Sequence, residues 1–188
     1  MSVFKRYISI FVLVLFLSVG AQAANAYDLN KMTDNQIILS ALKVLEKNNQ
    51  TDVLSRIDNN KTKVIFYDLT LISLSYAKHY AVASTDEYGD NYILINSTLK
   101  NSPKEALACL IAHESVHQLA NATYEEEVQA TRTEAKTWKL LKDDVSEKYS
   151  NDILVKRLNT LLLMEEAGQN NIGKAIAQNS FYKEQLSF

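Results

Sequence analysis

The stretch His113-Glu114-Ser115-Val116-His117 constrains this chain more than any other. Two histidines four residues apart serve one ion only if the backbone between them is helical. At a rise of about 1.5 Å per residue they stand about 6 Å apart along one face and converge on a single tetrahedral centre. The pattern therefore demands a helix, demands that this face look into the protein, and demands a third ligand from another element. Glu114 lies between the histidines, placed to take a proton from a metal-bound water without being a ligand itself.

The flanking residues answer the first two demands. Ser102-Pro103-Lys104-Glu105 reads as a capping box with proline at the first helical position, opening a helix that runs to Ala120. Within it Ala106, Cys109, Leu110, His113, Val116, His117 and Ala120 recur at helical spacing, so both histidines fall on the inward stripe. The third ligand is harder to choose. Only His79 remains of the 3 histidines, and a carboxylate is the better expectation. Thr123 and Glu126 form a second capping box, heading a helix whose first turn carries Glu125, Glu126 and Glu127. Acidic side chains there meet the positive end of the helix dipole, which suffices to account for Glu125 and Glu126. Glu127 instead shares the apolar side with Tyr124, Val128, Thr131, Ala135, Trp138 and Leu141, whereas Glu126 shares a face with Ala130, Thr133 and Thr137. Glu127 is the expected third ligand and Glu126 its competitor.

With these three residues on two successive helices, residues 64 to 141 resemble the gluzincins, zinc peptidases in which two histidines of H-E-x-x-H and a downstream glutamate hold the metal. Glu127-Val128-Gln129-Ala130-Thr131 is similar to the E-x-x-A-D pattern of that clan, with threonine where aspartate is usual. The short span from His117 to Glu127 looks more like the compact minigluzincins and bacterial H-E-x-x-H proteins of unassigned function than the large thermolysin-type enzymes. The resemblance implies Zn2+ held by His113, His117 and Glu127, a water in the fourth position, Glu114 as general base, and a peptide or protein as substrate. It also implies that a residue at the Thr131 position orients a ligand histidine, a task that a hydroxyl does weakly. His79, Tyr80 and Tyr124 are candidates for a transition-state donor; His79 reads otherwise as a strand histidine without a role.

Three candidate strands precede the metal helix: Lys63–Asp68, Ser75–Ser84 and Tyr92–Asn96, the last two forming a hairpin across residues 86–91. The implied fold is α+β and zincin-like. A small twisted, mostly antiparallel sheet packs on the histidine helix and the glutamate helix, with Tyr92–Asn96 as the edge that pairs with an extended substrate. Upstream, Thr33-Asp34-Asn35-Gln36 opens a helix with Ile37, Ile38, Ala41, Leu42 and Leu45 on one stripe. Downstream, Ile153, Leu154, Leu158, Leu161 and Leu162 form another stripe, and residues 168–171 break the chain before a last helical stretch. The expected organisation is one domain over residues 24–188, with its core at about 60–142 and a helical C-terminal segment over 143–188. That segment either packs on the core or serves as a partner-binding arm.

Lys5 and Arg6 followed by an apolar run from Ile8 to Val19 and the small-x-small sequences Ala21-Gln22-Ala23 and Ala24-Asn25-Ala26 read as a secretory signal peptide, residues 1–23. The run falls short of the ~20 residues that span a bilayer, so no stable membrane insertion is expected after cleavage, and the mature chain is expected to be secreted or periplasmic. Losing Lys5 and Arg6 leaves 18 basic against 22 acidic residues, and no basic cluster is present to neutralise phosphates, which argues against a nucleic-acid partner. Cys109 is the single cysteine and reads as core packing. The alternative to a peptidase is a catalytically silent zinc-binding envelope protein acting as an interaction module. Glu114 weighs against it, since a closed structural site carries a fourth protein ligand instead.

Overall fold

The computed structural model describes residues 27–117, 123–168 and 170–179. The signal segment expected at 1–23 and the last turn of the helix expected to reach Ala120 lie outside them. In chain order the elements are α1 (Leu29–Met32), α2 (Gln36–Lys47), α3 (Thr51–Asn59), β1 (Lys63–Tyr67), β2 (Ala81–Thr85), β3 (Asn91–Asn96), α4 (Lys104–Glu114), α5 (Tyr124–Leu141), α6 (Ile153–Glu166) and α7 (Asn171–Gln178). The class is α+β. No described helix is long and apolar enough to cross a membrane.

Local chemistry explains most of the boundaries. Asn35 starts α2 by accepting hydrogen bonds from the N–H groups of Ile37 and Ile38. The buried stripe Ile38, Ala41, Leu42 and Leu45 then faces the core. α3 is not anticipated above; Val53, Leu54 and Ile57 are its buried face, set by a period too short to stand out in the sequence. β2 and β3 form the expected hairpin, its turn held by Asp86, whose carboxylate accepts from the N–H groups of Tyr88 and Asp90. The strand expected from Ser75 is shorter. Ser73 caps a 3-10 turn over Leu74–Lys78, and the strand begins only at Ala81.

The sheet corrects two expectations. Its order is β1-β3-β2, with β3 parallel to β1 (Val64 opposite Ile93, Phe66 opposite Ile95) and antiparallel to β2 (Ala83 opposite Ile93). It is therefore mixed and not mostly antiparallel, and Tyr92–Asn96 belongs to the central strand, not the edge. The reason is the connection from β1 to β2, which crosses over and leaves a slot that β3 fills. Ile93 and Ile95 on β3 are consequently buried, and β2 is an edge.

α4 is the centre of the molecule: every residue from Glu105 to Glu114 is buried, beneath α2, α5, α6 and the sheet. The capping box expected at its start is absent. Pro103 is the N-cap, and the Ser102 hydroxyl donates instead to Asp152 Oδ2 at 2.9 Å. Asp152 in turn caps α6 by accepting from Leu154 and Val155, so one carboxylate ties the starts of two helices. Thr123 does cap α5, accepting from the Glu126 N–H.

The C-terminal helices pack on the core. Leu154, Leu158 and Leu162 of α6 join the same buried cluster as Trp138 and Leu141 of α5, and Trp138 Nε1 donates to Asn159 Oδ1 at 2.9 Å. α7 lays Ile172 and Ile176 against Val128 and Ala135. Gly173 permits that approach, because a Cβ there would come within 2.6 Å of the Tyr124 hydroxyl. Since α6 fills core volume, deleting residues 153–188 is expected to abolish cooperative unfolding in urea, followed by circular dichroism; a truncated chain with a sharp native-like transition would show the core to be independent of it.

Candidate metal centre

The last turn of α4 delivers the motif. His113 and Glu114 are its final buried residues, and the helix then tightens, with Val116 N–H bonding to the His113 carbonyl and His117 N–H to that of Glu114. His117 therefore stands just past the helix end. Even so, its Nε2 is 3.2 Å from His113 Nε2. Glu127, in the first turn of α5 and only 5% exposed, presents Oε1 at 3.7 Å from His113 Nε2 and Oε2 at 3.5 Å from His117 Nε2. His113, His117 and Glu127 form a group that can hold a metal ion, one ligand atom from each lying within 4.8 Å of the others.

Glu126 takes a different place. Its Oε1 is 3.5 Å from His117 Nδ1, on the far side of the ring from Glu127. The competitor for the third ligand is thus a backing carboxylate for the second histidine. Thr131 does not orient a histidine; its hydroxyl donates to Glu127 Oε1 at 3.3 Å, helping to fix the carboxylate four residues before it.

The carboxylate behind His113 is Glu134, which the sequence reading passed over. It is completely buried, and Oε2 lies 3.0 Å from His113 Nδ1, off the ideal hydrogen-bond line, with no better partner for either atom among the described residues. Its other oxygen, Oε1, forms an ion pair with Nη1 of Arg157, contributed by α6. The Arg157 guanidinium also lies over the Tyr80 ring, 5.1 Å from its centroid. A signal for Glu134 did exist: it continues the face marked by Glu127, Thr131, Trp138 and Leu141, where an unpaired carboxylate has no place.

Burial and these contacts set the protonation states. Burial by itself would lower the His113 pKa, but the hydrogen-bonding reach and charge of Glu134 reverse this and raise it to about 9. Burial pushes Glu134 the other way, and Arg157 together with His113 hold it well below the usual carboxylate range. In the metal-free protein the imidazole thus carries a proton that a bound cation would replace. Glu114 is raised above its ordinary value by burial, against the pull of His113 and His117.

Glu114 and His117 open onto a cleft of about 570 Å³, walled by Arg56 and Asn60, residues 83–85 of β2, residues 91–93 of β3, and Ser115. None of the three candidate donors lines it. Tyr80 stacks on Arg157, Tyr124 meets α7, and His79 sits in the loop before β2, not in a strand. His79 does feel Glu127: burial lowers its pKa and the Glu127 charge opposes that. No protein-family model matches the chain, and no curated protein or solved structure is significantly similar to it.

Metal content of variants separates the two shells of this centre. After dialysis, Glu127→Gln is expected to lose bound metal, and Glu134→Gln to weaken metal affinity by about 10- to 100-fold. Glu126→Gln is expected to retain metal. Loss in Glu126→Gln with retention in Glu127→Gln, measured by elemental analysis, would reverse the roles of the two glutamates.

Proposed function

We propose that this chain is a zinc-dependent peptidase with a zincin-like fold, working in the secreted or periplasmic space to which its N-terminal sequence directs it. The observation that carries the reading is the position of Glu114, a buried carboxylate adjoining a three-donor cluster and facing an open cleft. A structural zinc site is closed by four protein ligands and has no use for such a neighbour.

Zinc is the metal that suits these donors. With bonds of about 2.0–2.1 Å to nitrogen and oxygen, tetrahedral ligand atoms stand about 3.3–3.4 Å apart. The separations of 3.2, 3.5 and 3.7 Å bracket that edge length. Both histidines present Nε2 inward and keep Nδ1 for a carboxylate behind, the arrangement that fixes imidazole tautomer and basicity in zinc enzymes. A dication would also offset the charge of Glu114, Glu126, Glu127 and Glu134, of which Glu134 has the Arg157 guanidinium as its ion-pair partner.

When bound, zinc would acidify a water and polarise a substrate carbonyl. The chain's residues supply the rest. Glu114, buried beside the cluster and facing the cleft, is the residue that would take a proton from such a water and pass it to the departing amine. Glu134 and Glu126 keep the two imidazoles oriented, and Thr131 steadies Glu127. The free side of β2, along residues 83–85, borders the cleft, where an extended peptide can add as a further strand. α6 packs in the core, which argues against its serving as a free partner-binding arm.

Glu114→Gln should keep its zinc and lose at least ~10²-fold in hydrolysis of internally quenched peptides. Chelation should silence the wild type, with restoration on zinc addition. Equal cleavage by Glu114→Gln and wild type, or by the chelated protein, would refute the assignment.

A further inference from the structure

Arg56 is the one permanent cation in the cleft wall among the described residues, and it lines the same cleft as the proposed base. It is half-buried on α3, and its Nε and Nη2 donate to Ser115 Oγ at 3.2 and 3.1 Å. Ser115 directly follows Glu114, and its own hydroxyl proton is given to the Ala112 carbonyl at 2.8 Å. The serine is therefore a seat that fixes the guanidinium across a sequence distance of 59 residues. No described carboxylate comes within ion-pair distance of it. Asp52, one turn earlier on α3, acts on it only through the longer-range field.

A half-buried guanidinium without a carboxylate partner is costly in a folded protein. The negative end of α4 compensates part of the charge, because Ser115 is the C-cap of that helix. That does not use the fork: of the five N–H donors of a guanidinium, Ser115 engages two. The remaining wall is mostly uncharged and polar, with Thr62, Ser84, Thr85 and Asn91 as examples. Arg56 is thus the one permanent charge among the described lining residues, in a wall that otherwise carries the titratable Glu114 and His117.

We propose that Arg56 is a specificity-determining residue that binds a carboxylate of the substrate, so that the cleft selects anionic peptides. This rests on the peptidase reading for its substrate class, while the recognition itself needs only the cleft. A carboxylate matches the planar fork of a guanidinium in a way that a neutral amide does not. It can come from a free chain terminus or from an acidic side chain, and the chemistry is the same.

The test measures binding separately from turnover. Calorimetry on Glu114→Gln protein, with zinc and without it, uses four probes: blocked tetra-alanine as free acid, the same peptide as its amide, and amidated peptides carrying one glutamate or one glutamine. The metal-free arm removes any carboxylate bound by zinc itself. Binding of an acid is expected to exceed that of its neutral counterpart by about 10- to 100-fold, the worth of a charge-assisted hydrogen bond. Preference for the free acid over the amide assigns the terminus, and preference for glutamate over glutamine assigns the side chain. Arg56→Gln should erase the preference, and Arg56→Lys should keep only part of it. Equal binding of acids and amides by protein with Arg56 intact overturns the proposal, even if Arg56→Gln fails to fold. So does a preference that survives in Arg56→Gln. Selective binding without cleavage of any probe by wild type would instead retire the peptidase reading and leave the recognition standing.

Discussion

A carboxylate with no access to water survives only if neighbouring charges replace its hydration, and Glu134 meets that condition on both of its oxygens. Arg157 reaches it from α6 and His113 from α4, so this one side chain on α5 joins the three helices that make up the middle of the protein. The link explains why the His113, His117 and Glu127 group sits where α4 and α5 meet and why α6 is inseparable from it. It also orders the protonation of the site. With Arg157 holding Glu134 ionised, His113 faces a fixed negative charge, which both retains a proton in the absence of metal and strengthens the imidazole as a donor in its presence.

The sequence made the inner cluster readable because its signals are local. Five consecutive residues announce His113, Glu114 and His117, and a helical wheel over a single turn separates Glu127 from Glu126. What surrounds the cluster depends on contacts between distant segments and has no such signature. Arg157 lies 23 residues beyond Glu134, and Arg56 lies 59 before Ser115. Thr131 occupies the position that the family pattern assigns to a backing carboxylate, and the carboxylate that does stand behind His113, Glu134, lies one turn further along the same face. Glu126 reads in the sequence as a capping and dipole residue or as a competing ligand, whereas a first-turn acid can also reach the outer nitrogen of a histidine on the preceding helix.

The sheet illustrates the same division. Strand-forming runs and the turn between β2 and β3 were legible from composition, but the order of strands was not. Whether β3 lies at an edge or in the middle depends on where the connection after β1 travels, and the alternation of side chains along β3 is compatible with both. The start of α4 failed for a related reason. Ser102 has the chemistry of a cap, yet Asp152, fifty residues away, offers its hydroxyl a charged acceptor. Tertiary partners override local capping when they are the better acceptors.

The seam between α4, α5 and α6 bears on the order of events as the chain matures. The two histidines and Glu127 are fewer than twenty residues apart, but the side chain that keeps Glu134 ionised arrives only with Arg157, close to the C-terminus. A growing chain can therefore possess all three donors and still lack the environment that makes them a high-affinity set. Any metal that the three donors take up would therefore load late, after closure of α6 over the site. Such an ion would latch helices that are already packed together, and would not be the nucleus around which they form.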